Sequence, residues 1–306
     1  MGEGGAPVTA RGARLLTGAP IAAELRTGVK AEVETFRRRH GYRPTLAVIF
    51  VGRDAPSAVY LQQILRSCRN VGVHGRLVEI PGRVTAARLR NQIAGLNADP
   101  LVAGIVVQMP LPKSIPLRAV TDTIDPAKDI DGIHPLNAGL LALGYEGFVP
   151  ATARAVVELL KRSEIALEGT RAVVVGRSNV VGRPVAALLL REHATVTIAH
   201  SRTRDLGRLT RTADLLVVAA GVPGLVTRSM VRRGATVVDI GIHVAGDTLV
   251  GDVDFAGVRS VAGAITPVPG GIGPVTNAIL LQQLMQAARA QASRETGKAL
   301  RRTAGH

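Results

Sequence analysis

The chain has 306 residues, of which 46% are hydrophobic, so it is long enough for two domains with buried cores, and its composition excludes a disordered protein. No apolar run reaches the roughly 18 residues of a membrane span, and the N-terminus lacks a signal peptide's apolar segment. The single cysteine, Cys68, fits a reducing compartment. We therefore expect a cytoplasmic protein without membrane contact. The net charge of +15 comes from basic residues spread along the chain without interleaved aromatic side chains, which argues against nucleic acid and favours a small anionic ligand.

The first part of the chain alternates between helical and extended patterns. Residues 21–36 carry apolar residues at helical spacing, and the run "TLAVIFVG" that follows is typical of a strand buried on both faces of a parallel sheet. The alternation continues through a helix near residues 57–71, a strand at "GRLVEI", a helix at "TAARLRNQIAGLN" and a strand at "GIVVQMP".

A second series begins after a loop-rich region at residues 110–150. It contains a helix at "ARAVVELLKRS", then "RAVVVG", "GRPVAALLLRE", "TVTIAH", "DLLVVAAG" and "ATVVDIGI". Two consecutive βαβ series predict two α/β domains.

The turn "VVVGRSNVVGRP" opens the second series. Gly176 follows an apolar strand, and Gly182 with Pro184 begins a helix, so backbone N–H groups and the helix dipole favour an anion there. The spacing is G-x-S-x-x-x-G, which meets the general dinucleotide fingerprint only in part. The turn indicates either a nucleotide site or an ordinary tight connection.

The end of the next strand favours NADP over NAD. An NAD site usually has an Asp or Glu there for the ribose 2′-hydroxyl, whereas this chain has Ser201 and Arg202 in "TVTIAHSRTR". Together with Arg177 from the glycine turn, these groups suit a 2′-phosphate.

Three further features indicate a ligand site. In the loop "PVPGGIGP", prolines fix some backbone angles and glycines free others. This pattern indicates either a loop whose backbone approaches a ligand or an ordinary connection between a strand and a helix. Gln108 ends an apolar strand, where open α/β sheets bind ligands. Asp131 lies in "DPAKDIDGIHPLN" as a ligand-binding or a turn-stabilising carboxylate. No histidine has the spacing of a metal ligand, so no metal site is predicted.

The motifs "VGRDAPSAVYLQQ", "GIVVQMPLP", "DPAKDIDGIHPLNAG", "VVVGRSNVVGRPVA", "VVDIGI" and "ITPVPGGIGPVT" occur in the order of the methylenetetrahydrofolate dehydrogenase/cyclohydrolase family, which the chain resembles from about residue 15 to about residue 290. The resemblance implies a catalytic domain of residues 1–149 plus 274–306, a Rossmann-type NADP domain of residues 150–273, a folate cleft between them, and a homodimer. It also implies oxidation of 5,10-methylenetetrahydrofolate by NADP and hydrolysis of the methenyl product to 10-formyltetrahydrofolate.

Site residues follow from the resemblance by position. Tyr60 matches the family's tyrosine beside the pterin ring, Gln108 the glutamine of the Q-x-P-L-P motif, and Asp131 the aspartate that binds the pterin's amino and ring N–H groups. The segment at Pro269, Gly270 and Gly271 matches the loop that borders the cleft. The positions expected to bind NADP are Gly176, Arg177, Ser178, Gly182, Ser201 and Ile242.

One position departs from the family pattern. In Y-x-x-x-K, a lysine lies one helical turn after the tyrosine, and here that position is Ile64. Because 33 of the 38 basic residues are arginine, compositional bias would have replaced lysine by Arg rather than by an apolar residue. Isoleucine has no donor and no acid–base capacity. The family's P-C-T-P and D-G-K segments also differ, appearing as "PATA" at 150–153 and "TGA" at 17–19.

We therefore expect an NADP-dependent methylenetetrahydrofolate dehydrogenase whose cyclohydrolase activity is weak or absent. Hydride transfer depends mainly on positioning the substrate against the cofactor, whereas hydrolysis needs activated water and proton transfer, which the family's lysine is thought to assist. The alternatives are a fully bifunctional enzyme, a divergent paralogue with altered one-carbon chemistry, and a catalytically silent protein that binds NADP or folate.

Overall fold

A computed structural model describes residues 12–52, 55–246 and 248–303, except for the side chains of residues 55–60 and 295–303. It forms two parallel sheets with helices packed against them, which confirms the predicted two-domain α/β class. No helix in these ranges is both long enough and apolar enough to cross a membrane.

The first sheet has the order β3-β2-β4, with every pair parallel. Its strands are β2 (Thr45–Val51), β3 (His74–Ile80) and β4 (Val102–Val107), and its helices are α1 (Ala19–His40), α2 (Ala55–Val71) and α3 (Ala86–Ala98). Every residue of β2 and of β4 is buried, as their continuous apolar runs predict for strands covered on both faces. Helix α1 turns its predicted apolar stripe inward and ends at Gly41, whose φ is +78°.

The region between the two sheets contains two short helices that the sequence patterns did not indicate. They are α4 (Arg118–Thr121) and α5 (Pro135–Ala142). Asp129 is fully buried between them and accepts hydrogen bonds from the backbone N–H groups of Ile133 and His134 and from Asn137 Nδ2. These bonds fix the shape of the loop that carries Asp131.

The second sheet has six strands in the order β1-β11-β8-β7-β5-β6, and each pair is parallel. Its strands are β1 (Arg14–Leu15), β5 (Arg171–Val175), β6 (Thr195–Ala199), β7 (Leu215–Val218), β8 (Thr236–Asp239) and β11 (Ala264–Ile265). Around them lie α6 (Ala151–Arg162), α7 (Gly182–Arg191), α8 (Leu206–Thr210), α9 (Phe255–Arg259) and a 3₁₀ turn at Arg228–Met230. The strands β9 (His243–Ala245) and β10 (Thr248–Val250) form a separate antiparallel hairpin.

The last helix, α10 (Ile272–Thr303), joins the two halves. It packs on α1, α2 and β4 of the first half and on α6 of the second. Val275, Ile279 and Leu284 of this helix are fully buried in a core that also contains residues of both sheets. The halves therefore share apolar packing as well as a chain connection.

The expected division into residues 1–149 plus 274–306 and residues 150–273 differs from the structure at one point. Strand β1 lies at the start of the chain, yet it completes the edge of the second sheet by pairing with β11. Two residues are too few to produce an alternating pattern, so this strand could not be predicted from its residues. The other boundaries of the division stay a prediction.

Candidate active site

The glycine turn after β5 has the predicted form of strand, turn and helix. Gly176 has a φ of +129°, and a Cβ atom on it would lie 2.1 Å from the carbonyl oxygen of Ala219. A Cβ atom on Gly182, the first residue of α7, would lie 2.2 Å from the carbonyl oxygen of Gly176. Both distances are far below van der Waals contact, so the turn closes only with glycine at both positions.

Ser178 lies inside this turn and supports the start of α7. Its Oγ accepts hydrogen bonds from the backbone N–H groups of Val181 (3.1 Å) and Gly182 (3.4 Å). The Ser178 side chain thus satisfies N–H groups that an α-helix leaves without partners in its first turn. Its structural role is fixed by these bonds, and its expected contact with NADP stays a prediction.

Cationic and hydroxyl side chains gather beside the glycine turn. Strands β5 and β6 run parallel, with Val175 opposite Ala199, so the segments that follow them lie at one edge of the sheet. Arg177, Ser201 and Arg202 are all exposed there. Guanidinium and hydroxyl groups with free access to solvent suit the phosphates of a dinucleotide, and this donor set fits NADP.

The end of β8 carries two buried carboxylates that the sequence patterns did not single out. Asp239 accepts hydrogen bonds from the backbone N–H groups of Gly241, Asp252 and Val253, and burial raises its pKa to about 6. Asp252 is fully buried and accepts from the N–H groups of Ala220 and Gly221. These bonds hold the segments after β7 and β8 together at the carboxyl edge of the sheet.

Ile242 and His243 project from this frame. Ile242 is 61% exposed, as a residue that contacts a bound molecule can be. The Nε2 of His243 lies 2.7 Å from Asp252 Oδ1, so the imidazole is fixed by a carboxylate that is itself held by backbone donors. A carboxylate at the end of a strand, followed by Ile-Gly-Ile-His, was the available signal, but its meaning depends on Asp252, which follows the β9–β10 hairpin in a separate segment of the chain.

Asp131 lies where the loop from the first half meets α6. Its Oδ1 accepts a hydrogen bond of 3.2 Å from the backbone N–H of Ala151, the first residue of α6. The side chain is partly exposed, yet the surrounding protein desolvates it, and burial raises its pKa to about 7, with the nearby Asp129 acting in the same direction. The carboxylate oxygens of Asp131 have further lone pairs, which can accept hydrogen bonds from a ligand.

Gln108 follows the last residue of β4 at the carboxyl edge of the first sheet. Its backbone N–H donates to the carbonyl oxygen of Ile49, which extends the strand pairing by one residue. Its side-chain Nε2 donates to the carbonyl oxygen of Met109 at 3.1 Å, and the Met109–Pro110 peptide bond is cis. The amide is half-buried and keeps its oxygen for another donor.

Ile64 is 1% exposed and lies in the apolar core on the same face of α2 as Leu61 and Cys68. Burial raises the pKa of the Cys68 thiol to about 12, so this cysteine is an apolar packing residue rather than a nucleophile. The backbone of Tyr60 belongs to α2, but its side chain lies outside the described residues, so its predicted place beside the pterin is untested.

The loop at residues 267–271 passes from the carboxyl end of β11 to α10. Gly270 has a φ of +105°, and its carbonyl oxygen accepts a hydrogen bond from the backbone N–H of Gly18 (2.9 Å). The N–H of Gly271 donates to the carbonyl oxygen of Pro267 (2.9 Å). Because β11 belongs to the second sheet and α10 packs on the first, Pro269, Gly270 and Gly271 lie at the junction of the two halves.

Two amide side chains of α10 were missed because they stand among apolar residues and resemble ordinary helix positions. Gln283 is fully buried, and its Nε2 donates to the carbonyl oxygens of Ile130 (2.8 Å) and Val149 (2.9 Å). These residues lie on either side of the contact between Asp131 and α6, so Gln283 braces that contact. The second amide, Asn277, is 8% exposed, and its Oδ1 has no partner in the described part of the chain.

Comparison with known proteins agrees with this architecture. Residues 16–131 match the model of the tetrahydrofolate dehydrogenase/cyclohydrolase catalytic domain, and residues 150–292 match that of the tetrahydrofolate dehydrogenase/cyclohydrolase NAD(P)-binding domain. The "Bifunctional protein FolD" of Roseiflexus castenholzii is 49% identical over 280 residues, which are 91% of this chain and 97% of that protein.

Two solved structures are also similar over most of their length. The bifunctional FolD of Campylobacter jejuni has a TM-score of 0.87 and 41% identity, covering 90% of this chain and 98% of the other. The Trypanosoma brucei methylenetetrahydrofolate dehydrogenase-cyclohydrolase, solved with NADP cofactor and an inhibitor, has a TM-score of 0.88 and 37% identity, covering 92% and 99%.

The fold and the two matched domains define an oxidoreductase with a nicotinamide-dinucleotide domain. The chain belongs to the tetrahydrofolate dehydrogenase/cyclohydrolase family. The predicted family, fold class and enzyme class are thereby confirmed.

Proposed function

We propose that this chain oxidises 5,10-methylenetetrahydrofolate to 5,10-methenyltetrahydrofolate with NADP. The observation that carries the proposal is the pairing of two sites within one family fold: a glycine turn flanked by Arg177, Ser201 and Arg202, and a desolvated Asp131 at the junction of the halves. NADP supplies the hydride acceptor when bound. The arginines hold the 2′-phosphate, and their charge favours NADP over NAD.

In this proposal the first half orients the folate. Asp131 accepts hydrogen bonds from the pterin's amino and ring N–H groups, while its bond to Ala151 and the brace from Gln283 keep the carboxylate in place. Tyr60 and the loop at Pro269–Gly271 border the ring. Orientation of this kind is the main demand of hydride transfer, because the cofactor provides the redox chemistry.

For the second reaction there are two candidates, each with its own support. The names of the relatives, which are bifunctional, favour hydrolysis of the methenyl product to 10-formyltetrahydrofolate, and the overall similarity is high. Against this stands Ile64, a buried apolar side chain at the family's lysine position. General acid–base catalysis typically contributes about 10²- to 10⁴-fold, so its loss would leave weak hydrolysis unless other groups replace it.

The test is a spectroscopic time course with methylenetetrahydrofolate and NADP that follows NADPH and the methenyl product separately and subtracts uncatalysed hydrolysis. NADPH formation with rapid clearance of methenyl product supports the bifunctional enzyme. NADPH formation with accumulating methenyl product supports a dehydrogenase with an impaired second step. Binding without NADPH formation would contradict both and favour a divergent paralogue or a silent binder.

We also propose that the chain forms a homodimer. Strand β3 pairs only with β2 in the described sheet, which leaves its other edge available for an interface. Light scattering of the purified protein should give twice the 32.0 kDa chain mass, and a mass equal to one chain at micromolar concentration would contradict the dimer.

A further inference from the structure

Near the start of α10, Asn277 is a buried polar side chain with an unusual environment. The residue is 8% exposed, and its Oδ1 reaches no donor among the described residues. The oxygen and nitrogen of a side-chain amide can be exchanged by a half-turn, but either orientation leaves a polar atom of Asn277 facing the same surroundings. Buried polar atoms are almost always paired, so an unpaired one calls for a specific explanation.

The side of α10 on which Asn277 lies can be inferred from Leu284 and Gln291, which are 7 and 14 positions further along the helix. Residues seven apart share a helix face, and this face packs against β4: Leu284 Cδ1 would lie 2.8 Å from a Cβ on Gly104, and Gln291 Nε2 donates to the carbonyl oxygen of Ala103 at 2.8 Å. As the helix is followed from Gln291 to Leu284, its contact on the strand moves from Ala103 to Gly104. Asn277 therefore lies further toward the carboxyl end of β4.

Asn277 lies near the end of β4, next to Gln108. Seven helical residues span about 10 Å, which is about the length of three strand residues, so the step from Leu284 to Asn277 leads from the level of Gly104 toward the last residues of β4. Side chains alternate across a strand, so Gln108 is on the same side of the sheet as Gly104 and Val106. Val106, Leu284 and Ile64 belong to one core cluster, and α2 also contacts α10. Asn277 thus lies at the carboxyl edge of the first sheet, on the face that carries Gln108 and Ile64.

We propose that Asn277 is a substrate-site residue whose carboxamide oxygen accepts a hydrogen bond from an N–H or O–H donor in the folate cleft. This inference rests on the proposed function. Two donors have the required chemistry: an N–H group of the reduced pterin, and the water that attacks the methenyl carbon. In either case Asn277 provides a hydrogen-bond acceptor on the face of the first sheet where the Ile64 side chain provides none.

The decisive substitution is Asn277→Leu, which keeps the number and branching of the side-chain heavy atoms and removes the polar ones. Without ligand, the Tm should rise by a few degrees, because an unsatisfied buried group is lost. If the donor is a pterin N–H group, the KM for methylenetetrahydrofolate should rise about three- to tenfold, as expected for one lost neutral hydrogen bond. With either donor, the KM for NADP should stay within about twofold. A Tm that rises while the affinity for folate falls is a result that a purely structural role does not produce.

Gln291→Leu is the matched control, because it also replaces an amide side chain by leucine on the same helix face, at an amide that is already paired. Its Tm should fall through loss of the bond to Ala103, and its folate KM should stay unchanged. Asn277→Ala keeps the test decisive if the leucine variant does not accumulate, because alanine also lacks the oxygen and adds no volume.

The two possible donors are distinguished by which of the two reactions the substitution affects. A pterin contact raises the folate KM of the dehydrogenase reaction, whereas a water contact lowers kcat for methenyl hydrolysis and leaves dehydrogenase KM unchanged. A variant with a higher Tm and unaltered folate kinetics in both reactions would overturn the inference, and so would a Tm that falls as it does for Gln291→Leu. If the wild-type protein neither binds nor oxidises methylenetetrahydrofolate, the proposed function itself fails, independently of Asn277.

Discussion

Residue 64 is the position at which we predict that a single side chain has the largest consequence for the chemistry. Ile64 fills the core between α2 and its neighbours, so a lysine there would have to extend its ammonium group past apolar packing to reach the carboxyl edge of the sheet. Lysine can do this through its four-carbon stem, at a cost in stability for partial desolvation of the charge.

Ile64→Lys should therefore increase enzyme-dependent hydrolysis of methenyltetrahydrofolate by about 10²-fold and lower the Tm. The measurement is the decay of methenyl absorbance with and without enzyme, together with a thermal melt. Ile64→Met is the control, because it matches most of the length without the charge and should leave hydrolysis unchanged. Equal hydrolysis rates in wild type and the lysine variant would show that another group already performs the step.

Asp131 gives a prediction for pH. Its pKa is raised from 3.8 to about 7, so the folded protein retains a proton that the unfolded chain releases at lower pH. The folded state binds more protons across this window, and stability without ligand should fall as pH rises from about 4 to about 7. The ionised carboxylate, however, is the form that accepts hydrogen bonds from pterin N–H groups.

The KM for methylenetetrahydrofolate should consequently decrease as pH increases from 6 to 8, by up to about tenfold for one titrating group. Steady-state kinetics at saturating NADP measure this dependence. Asp131→Asn should have a higher KM that varies little over the same range. A wild-type KM that is constant from pH 6 to 8 would contradict the assignment of Asp131 as the pterin-binding carboxylate.

Residue-level prediction from sequence succeeded where a side chain stands next to a strong local pattern. Gly176 and Gly182 follow a strand and begin a helix, and the structure places them as expected. Asn277 and Asp252 were missed because their significance depends on partners, or on the lack of them, far along the chain. An amide in an apolar helix gives no sign of whether its oxygen is paired.

Among the secondary-structure elements, length decided what could be predicted. Helices α1 and α10 and strand β2 have sustained patterns, whereas α4, β1 and β11 are too short to show any. Helix α5 was missed because "PLNAGLLA" has only eight residues and contains a central glycine, which is a sign of a loop. The glycine turn is the element with the clearest test.

Gly182→Ala should disrupt that turn. The added Cβ would meet the carbonyl oxygen of Gly176 at 2.2 Å, so β5 and α7 must separate and the backbone N–H groups shift. We expect a KM for NADP at least about tenfold higher and a Tm several degrees lower, as overpacking typically costs about 1–3 kcal/mol. Gly28→Ala in α1 is the control, because its Cβ meets nothing within 4 Å and alanine favours a helix. Unchanged NADP kinetics in the Gly182 variant would contradict the proposed cofactor site.

For the whole molecule, the patterns indicated two α/β halves correctly, and the resemblance implied that residues 274–306 return to the first half. Nothing in the sequence indicated that the start of the chain completes the second sheet. Strand β1 completes the second sheet, and α10 covers the first sheet while also packing on α6. The hydrogen bond from Gly18 to Gly270 lies between these two ends. Neither half is thus built from one uninterrupted stretch of chain.

Because the start of the chain completes the second sheet and the last helix covers the first, the two halves are not separable modules. A fragment of residues 150–273 would lose the strand that protects the outer edge of β11 and the helix that covers α6. Exposed strand edges and apolar helix faces promote self-association, so this fragment should aggregate when it is produced alone. Removal of α10 would expose apolar surface on both halves, whereas a circular permutation that joins the two ends of this chain would preserve all of these contacts while moving the termini elsewhere.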